Sequence, residues 1–411
     1  MKLAIILGRG IEGAGVTRFA CELNNFVNAN NMYSHIYAID DKKWPRANSQ
    51  ILLNFTSIKV DFFKELSIKL NNEYDAILYC SIPAKKGYSQ KCIDDFYKYL
   101  VCDIVKPKKY LTQNDHKKQS LSRNANLYEI CKEMTGIFSF SNNTPFFKEL
   151  QLRYGKEILN KYIHLQNGID FTELIKFKKD VSLREKRITY LGRYATFKDP
   201  YRLYLFHKYV KPYNFKSELI GIERSIGAIH PMFLYEDLKT TKHLKEMHDC
   251  TQFFIAREDQ TIEFPYVYGP YNRIDTLSKI GDSLFGCSFY NISSDANGNN
   301  IEYAQLEMIS IGLIPLFDYD WSLHTKIENI SINILDYFGI FLKKDLSNAE
   351  ECANKLEEIY NNLDLRKKYI DSSYEYIQSF SSNVVFLNMI ETMNTFTSKN
   401  VEIKNKVKKL F

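Results

Sequence analysis

The chain has 411 residues, 45% of them hydrophobic and 25% charged, with 55 Lys plus Arg against 49 Asp plus Glu for a formal net charge of +6. This is globular usage on the scale of two domains, and it excludes a disordered, collagen-like or disulfide-stapled chain. The mild positive excess suits a polyanionic partner without identifying one. Apolar runs such as LAIIL (3–7) and ISIGLIPLF (309–317) fall far short of the roughly 20 residues that cross a bilayer, so a soluble chain is expected. Met1-Lys2 leads straight into a strand-like run and a glycine loop, a pattern without a secretory leader. Eight cysteines are scattered with no CxxC pair, as for free buried thiols in a reducing cytoplasm.

In chain order, KLAIIL (2–7) predicts a buried strand, and Val16, Phe19, Ala20, Leu23, Phe26 and Val27 recur at helical spacing over 16–28. SHIYAID (34–40), IKVD (58–61) and DAILYCS (75–81) predict strands, with helices over 63–70 and 89–100. KYLTQ (109–113), GIFSF (136–140) and KYIHLQ (161–166) complete a first half. After a lysine-rich stretch at 174–187 the alternation restarts with RITYLG (187–192), a helix over 200–210, SELIG (217–221) and QFFIA (252–256). SLFGCSFY (283–290), a helix over 302–311 and LIPLF (313–317) follow, then helices over 348–361, 364–379 and 383–396. Alternation of this kind implies parallel sheets. The expected fold is α/β: two tandem Rossmann-like, doubly wound domains, 1–175 and 186–380, facing across a cleft, with a helical C-terminus and basic tail over 381–411. Ligands of such sheets sit beyond the carboxyl ends of the strands, which makes the cleft the expected site.

Three clusters carry candidate chemistry. Gly8-Arg9-Gly10-Ile11-Glu12-Gly13 is a GxGxxG between a strand and a helix, with Asp40 ending the next strand. Alone it reads as a dinucleotide site of an NAD-dependent oxidoreductase, with the pyrophosphate at the helix N-terminus and Asp40 on a ribose hydroxyl. The charges of Arg9 and Glu12 intrude on that reading, and a nicotinamide or flavin leaves the second half unexplained. In that half, Arg193 ends a strand and Lys198 follows five residues later, so two cations can converge on a diphosphate, or can be solvated loop charges. Glu302 and Glu307, on the helix before LIPLF, are separated by about 500° of helical rotation and need separate jobs. Glu302 suits a sugar hydroxyl or the helix dipole, and Glu307, between Leu306 and Met308, suits the two hydroxyls of a ribose. A glycine loop, an Arg/Lys pair and a helical carboxylate pair over two tandem sheets describe a GT-B glycosyltransferase using a nucleotide sugar.

The segments GRGIEGAGVTRFACELNNF (8–26), QNDHKKQSLSRN (113–124), ITYLGRYATFKDP (188–200), GIERS (221–225), YVYG (266–269) and IEYAQLEMISIGLIPLF (301–317) together resemble the DNA α-glucosyltransferases of T-even bacteriophages. The resemblance implies a retaining enzyme that moves glucose from UDP-glucose to 5-hydroxymethylcytosine in double-stranded DNA and so protects phage DNA from nucleases in the host cytoplasm. It places the DNA acceptor on the first half and the nucleotide sugar on the second. By matched position, Arg193 and Lys198 clamp the diphosphate, Glu307 holds the ribose, Glu302 lies on the sugar and phosphate side, and the glycine loop with Gly10, Glu12, Gly13 and Gly15 approaches the donor. Asp115 orients or deprotonates the acceptor hydroxymethyl group. The preceding family position is His, whereas this chain has Asn114, which carries no proton or charge; His116 matches a second His and can take over part of that role. Without the resemblance, Asn114-Asp115-His116 reads as an Asx-type turn after a strand.

No metal is expected. Asp318-Tyr319-Asp320 forms a DxD, a signature for divalent ions in other glycosyltransferases, but it follows a second-half strand where related enzymes lack it. DNA-phosphate candidates are Arg18, Lys42, Lys43 and Arg46, then Lys117, Lys118 and Arg123, and the tail KNKVKK (404–409). The rival expectations are a transferase of this fold with another sugar or acceptor, such as 5-hydroxymethyluracil or a surface glycan, and the oxidoreductase.

Overall fold

The computed structural model describes residues 1–8, 15–39, 54–83, 88–113, 126–139, 145–193 save Glu173, 199, 201–222, 253–256, 277–289, 302–319 and 337–396. They form two parallel sheets. The first has the strands β1 (Lys2–Leu7), β2 (Tyr33–Ile39), β3 (Phe55–Ile58), β4 (Ala76–Ser81), β5 (Lys108–Gln113), β6 (Gly136–Ser139) and β7 (Tyr162–His164), in the spatial order β3-β2-β1-β4-β5-β6-β7. The second has β8 (Glu185–Arg193), β9 (Lys216–Ile222), β10 (Phe253–Ala256), β11 (Ser283–Cys287), β12 (Ile314–Asp318) and β13 (Ile340–Leu342), ordered β10-β9-β8-β11-β12-β13. Both sheets therefore run outward from their first strand in two directions. Each has a switch point where the order reverses, between β1 and β4 and between β8 and β11.

Burial explains why the strands are near-continuous apolar runs. Along β1, Leu3, Ile5 and Leu7 point into one core, with the helix Gly15–Ala29, while Ala4 and Ile6 point into a second core on the opposite face. Both faces are covered, so period-two alternation of polarity is absent. The helix Gly15–Ala29 presents Phe19, Ala20, Leu23, Phe26 and Val27 to the first core.

That core is closed by the far end of the chain. The helix Ser382–Thr395 contributes Val385, Phe386, Met389, Ile390 and Met393, and the Phe386 ring lies 5.7 Å from Phe19 and 5.6 Å from Phe26. The Tyr110 hydroxyl donates to the Met393 carbonyl at 2.6 Å, and the Lys108 ammonium donates to the Asn394 carbonyl at 2.8 Å. The chain thus crosses between lobes twice. The crossings pair with each other: the Ile169 N–H donates to the Phe380 carbonyl at 3.0 Å and the Ser382 N–H to the Ile169 carbonyl at 2.9 Å.

The expected elements fall into place with local differences. β3 occupies 55–58 rather than 58–61 because its residues pair with Ile36 to Ile39, and Val60–Phe62 turns into a 3-10 helix. The helices Leu127–Glu133 and Pro145–Tyr154 and the edge strand β13 are additions, β13 being only three residues long. Among the described residues no helix is long and apolar enough to cross a membrane. The described cysteines are free thiols, buried except for Cys102.

Candidate active site

At the first crevice the chain leaves β1 through Gly8, whose N–H donates to the Ser81 carbonyl at 2.9 Å. A Cβ on Gly8 would stand 2.4 Å from the Ile82 Cα and 2.5 Å from the Ser81 oxygen, so only glycine lets the two strand ends close up here. The first glycine of the GxGxxG is thus explained by backbone packing at the switch point. Gly15 opens the helix Gly15–Ala29, and Gly10, Glu12, Gly13 and Asp40 lie outside the described residues. Asn114, Asp115 and His116 also lie outside them; they follow Gln113, the last residue of β5.

At the second crevice, Arg193 is the final residue of β8, its backbone in register with Ile222 of β9, and Lys198 lies outside the described residues. The helix Tyr303–Ser310 carries the carboxylates. Glu302 is its N-cap, in a capping box: its side chain accepts from the N3 backbone while Gln305 Oε1 accepts from the Glu302 N–H at 3.3 Å. Gln305 Nε2 donates in turn to the Ser288 carbonyl at 2.9 Å, tying the helix start to the end of β11.

Glu307 lies inside the same helix and is 8% exposed. Its Oε1 accepts from Arg18 Nη1 at 2.8 Å, across 289 residues of sequence and between the lobes. Arg18, on the helix Gly15–Ala29, also lies 3.5 Å from the Glu22 carboxylate and stacks its guanidinium 4.4 Å over the Tyr303 ring. Tyr303 packs against the apolar cores of both lobes. Burial pushes its phenol far above the usual range, and its hydroxyl finds no partner among the described residues. This corrects the expectation that Arg18 serves DNA phosphate: its guanidinium is engaged by Glu307, Glu22 and Tyr303 on the lobe boundary.

Of the DxD, Asp318 and Tyr319 are described. Asp318, the last residue of β12, is buried, and its Oδ2 lies 2.7 Å from Arg202 Nη1, so its charge is met by a guanidinium. Asp320 lies outside the described residues, as do Lys42, Lys43, Arg46, Lys117, Lys118, Arg123 and the 404–409 tail. Sequence reading missed Arg202 and the pairing of Arg18. Asp199 and Arg202, three apart at a helix start, were the available signal for the first; nothing local signals a contact between positions 18 and 307.

Two tandem parallel sheets whose strand orders both reverse beside their first strand, meeting at a boundary where Arg18 of one lobe pairs with Glu307 of the other, define the GT-B class of fold. An alpha-glucosyltransferase solved with UDP-glucose and DNA containing an abasic site superposes with a TM-score of 0.79 at 23% identity, over 96% of this chain and all of that one. An Anabaena protein, HepE, solved with UDP-glucose superposes with a TM-score of 0.63 at 11% identity, over 96% of this chain and all of that one. The chain matches the DNA alpha-glucosyltransferase family over residues 14–364 and belongs to it. A DNA alpha-glucosyltransferase of Enterobacteria phage T4 is 26% identical over 404 residues, spanning 92% of this chain and 95% of that protein.

Proposed function

We propose that this chain transfers glucose from UDP-glucose to a hydroxymethylated base in duplex DNA, with 5-hydroxymethylcytosine as acceptor and retention at the anomeric carbon. The observation that carries the reading is the family match over residues 14–364, which takes in both lobes and so both halves of the reaction. The lobe of residues 1–175 takes the DNA and that of 186–380 the donor, in the cytoplasm of the host cell.

In this reading Arg193 and Lys198 hold the diphosphate, where a fork and a point charge neutralise its two phosphates. Glu307 accepts from the ribose hydroxyls, its carboxylate held in place by Arg18 from the opposite lobe. Glu302 serves the sugar and phosphate side from the helix start, and the amides of Gly10 to Gly15 stabilise the charge that develops on the leaving oxygen. The acceptor oxygen attacks the anomeric carbon on the face from which UDP leaves. As the carbon–oxygen bond to UDP breaks, the acceptor proton passes to the β-phosphate oxygen. Asp115, flanked by Asn114 and His116, aligns the hydroxymethyl group. Preorganised donors around the leaving oxygen contribute on the order of 3 kcal/mol each. This path needs no carboxylate pair flanking the sugar, unlike the double displacement of retaining hydrolases. Access to the hydroxymethyl group involves turning the base out of the stack, and phosphate contacts make binding salt-dependent.

The test is mass analysis of duplexes carrying 5-hydroxymethylcytosine, 5-hydroxymethyluracil or cytosine after incubation with UDP-glucose and other UDP-sugars, followed by NMR of the anomeric proton. One hexose on the hydroxymethylcytosine duplex, α-linked, is expected. No mass gain on any hydroxymethylated duplex overturns the proposal, and a gain only on hydroxymethyluracil or only with another sugar replaces its acceptor or donor.

A further inference from the structure

Where the lobes touch, the side chains of Arg18 and Glu307 are 14% and 10% exposed, so a guanidinium and a carboxylate meet there largely stripped of water. Three contacts fix the guanidinium. Its Nε lies 3.5 Å from Glu22 Oε1, one turn along its own helix, its central carbon stands 4.4 Å over the Tyr303 ring, and Nη1 donates to Glu307 Oε1 at 2.8 Å. Tyr303 and Glu307 are four residues apart on the helix Tyr303–Ser310, so ring and carboxylate share one stripe of that helix. Arg18 lies along the stripe from the opposite lobe, and Tyr303 is itself held by packing against the cores of both lobes.

Stability is a poor explanation of such a pair, because buried ion pairs in general stabilise no better than apolar side chains of similar size. What this pair supplies is geometry. Glutamate is among the side chains that lose most rotamer freedom on ordering, and Arg18 removes that freedom from Glu307 before any ligand arrives. A carboxylate has about four acceptor positions, of which Arg18 takes one on Oε1. The rest of the group is thereby held in one orientation, the condition for accepting from two neighbouring hydroxyls at once.

We propose that Arg18 is a positioning residue that sets the preference for ribonucleotide over deoxyribonucleotide donors, by holding Glu307 in the orientation that accepts both ribose hydroxyls. The inference rests on the reading of Glu307 as the ribose acceptor. The orienting cation and the oriented carboxylate belong to different lobes, so the preference exists only while the lobes are together. A residue of the lobe that takes the DNA thus decides which sugar the nucleotide of the donor carries.

The experiment is calorimetry on the full chain with UDP and with 2′,3′-dideoxy-UDP, for wild type, Arg18→Met, Arg18→Lys and Glu307→Ala. The ratio of the two affinities within one variant cancels any general loss of stability or of diphosphate binding. Hydrogen bonds from two hydroxyls to a carboxylate predict a wild-type preference for UDP of about a hundredfold. Arg18→Met is expected to lower it to about tenfold, through weaker UDP binding with 2′,3′-dideoxy-UDP bound as by wild type. Arg18→Lys keeps a charge beside Glu307 and is expected to hold the preference within about threefold of wild type. Should Arg18→Met fail to fold, Arg18→Gln takes its place, since its amide ends where the arginine Nε does and falls short of Glu307. A wild-type ratio in Arg18→Met or Arg18→Gln, with the preference lost in Glu307→Ala, overturns the inference and leaves the donor reading standing. A wild-type ratio in Glu307→Ala overturns the reading of Glu307 itself, and the inference with it.

Discussion

The two crevices share a strand order and differ in what fills them. Beside β1, two strand ends meet backbone to backbone at Gly8, so closely that a Cβ there would overlap Ile82. In the second lobe, the buried Arg202 joins Asp199, beyond β8, to Asp318 at the end of β12, and the helix Tyr303–Ser310 carries Glu307. Topology gives both lobes a switch point, and residue choice decides that one is closed by bare backbone while the other is bordered by paired charges.

That contrast can be broken most severely by deleting residues 382–411. The first lobe then loses Phe386, Met389, Ile390 and Met393 from its core, where each buried side chain contributes about 1.5–3 kcal/mol. Scanning calorimetry is expected to show the first lobe without a cooperative transition, and an unchanged transition refutes its dependence on the last helix.

Next in size is the bridge between lobes. Glu307→Ala leaves the Arg18 guanidinium poorly compensated, and UDP affinity is expected to fall about a hundredfold with a stability loss of about 3 kcal/mol. Arg18→Met is expected to weaken UDP binding about tenfold while leaving the salt dependence of DNA binding unaltered. A shallower salt slope instead makes Arg18 a phosphate contact after all.

A third substitution compares the crevices directly. Gly8→Ala forces a methyl against the backbone of Ile82 and is expected to cost about 1–3 kcal/mol in a denaturant titration. Gly192→Ala meets the Tyr190 hydroxyl, a side-chain end, and is expected to cost less. Equal losses remove the distinction between a backbone contact and a side-chain one.

The smallest effect concerns pH. His207 is buried, with Nδ1 2.8 Å from the Ser217 hydroxyl, and burial first, then Lys211, holds its pKa below the usual histidine range. The unfolded chain then binds a proton that the folded chain refuses, so stability is full above about pH 6.5 and falls as pH drops below it. His207→Gln is expected to flatten that acid limb in melting curves between pH 7 and 5. An identical limb in the variant assigns it to other groups.

Much of the fold was legible in the sequence because both sheets are parallel and covered on both faces. Strands such as KLAIIL and LIPLF consequently stand out as apolar blocks between helical periods. β13 escaped because three residues make no pattern, and the shift of β3 follows from its register with β2, which is a property of the pair and not of either strand. At the site, helical rotation separates Glu302 from Glu307 in the sequence, and the structure gives them different surroundings for another reason, Glu302 being the extended N-cap and Glu307 a buried partner of Arg18. The pairings themselves were not legible. Arg18 reads as one more surface cation, and Arg202 sits in a helical run whose apolar neighbours hide it, because what defines both is a carboxylate brought from a distant part of the chain.

The last helix seals the first lobe, and proteins are made from one end. A nascent chain therefore carries all seven strands of its first sheet with an open apolar groove throughout translation of the second sheet, until the stretch around Phe386 to Met393 leaves the ribosome. A product that stops before Phe386 keeps that groove open, an apolar surface of the kind that invites aggregation and proteolysis.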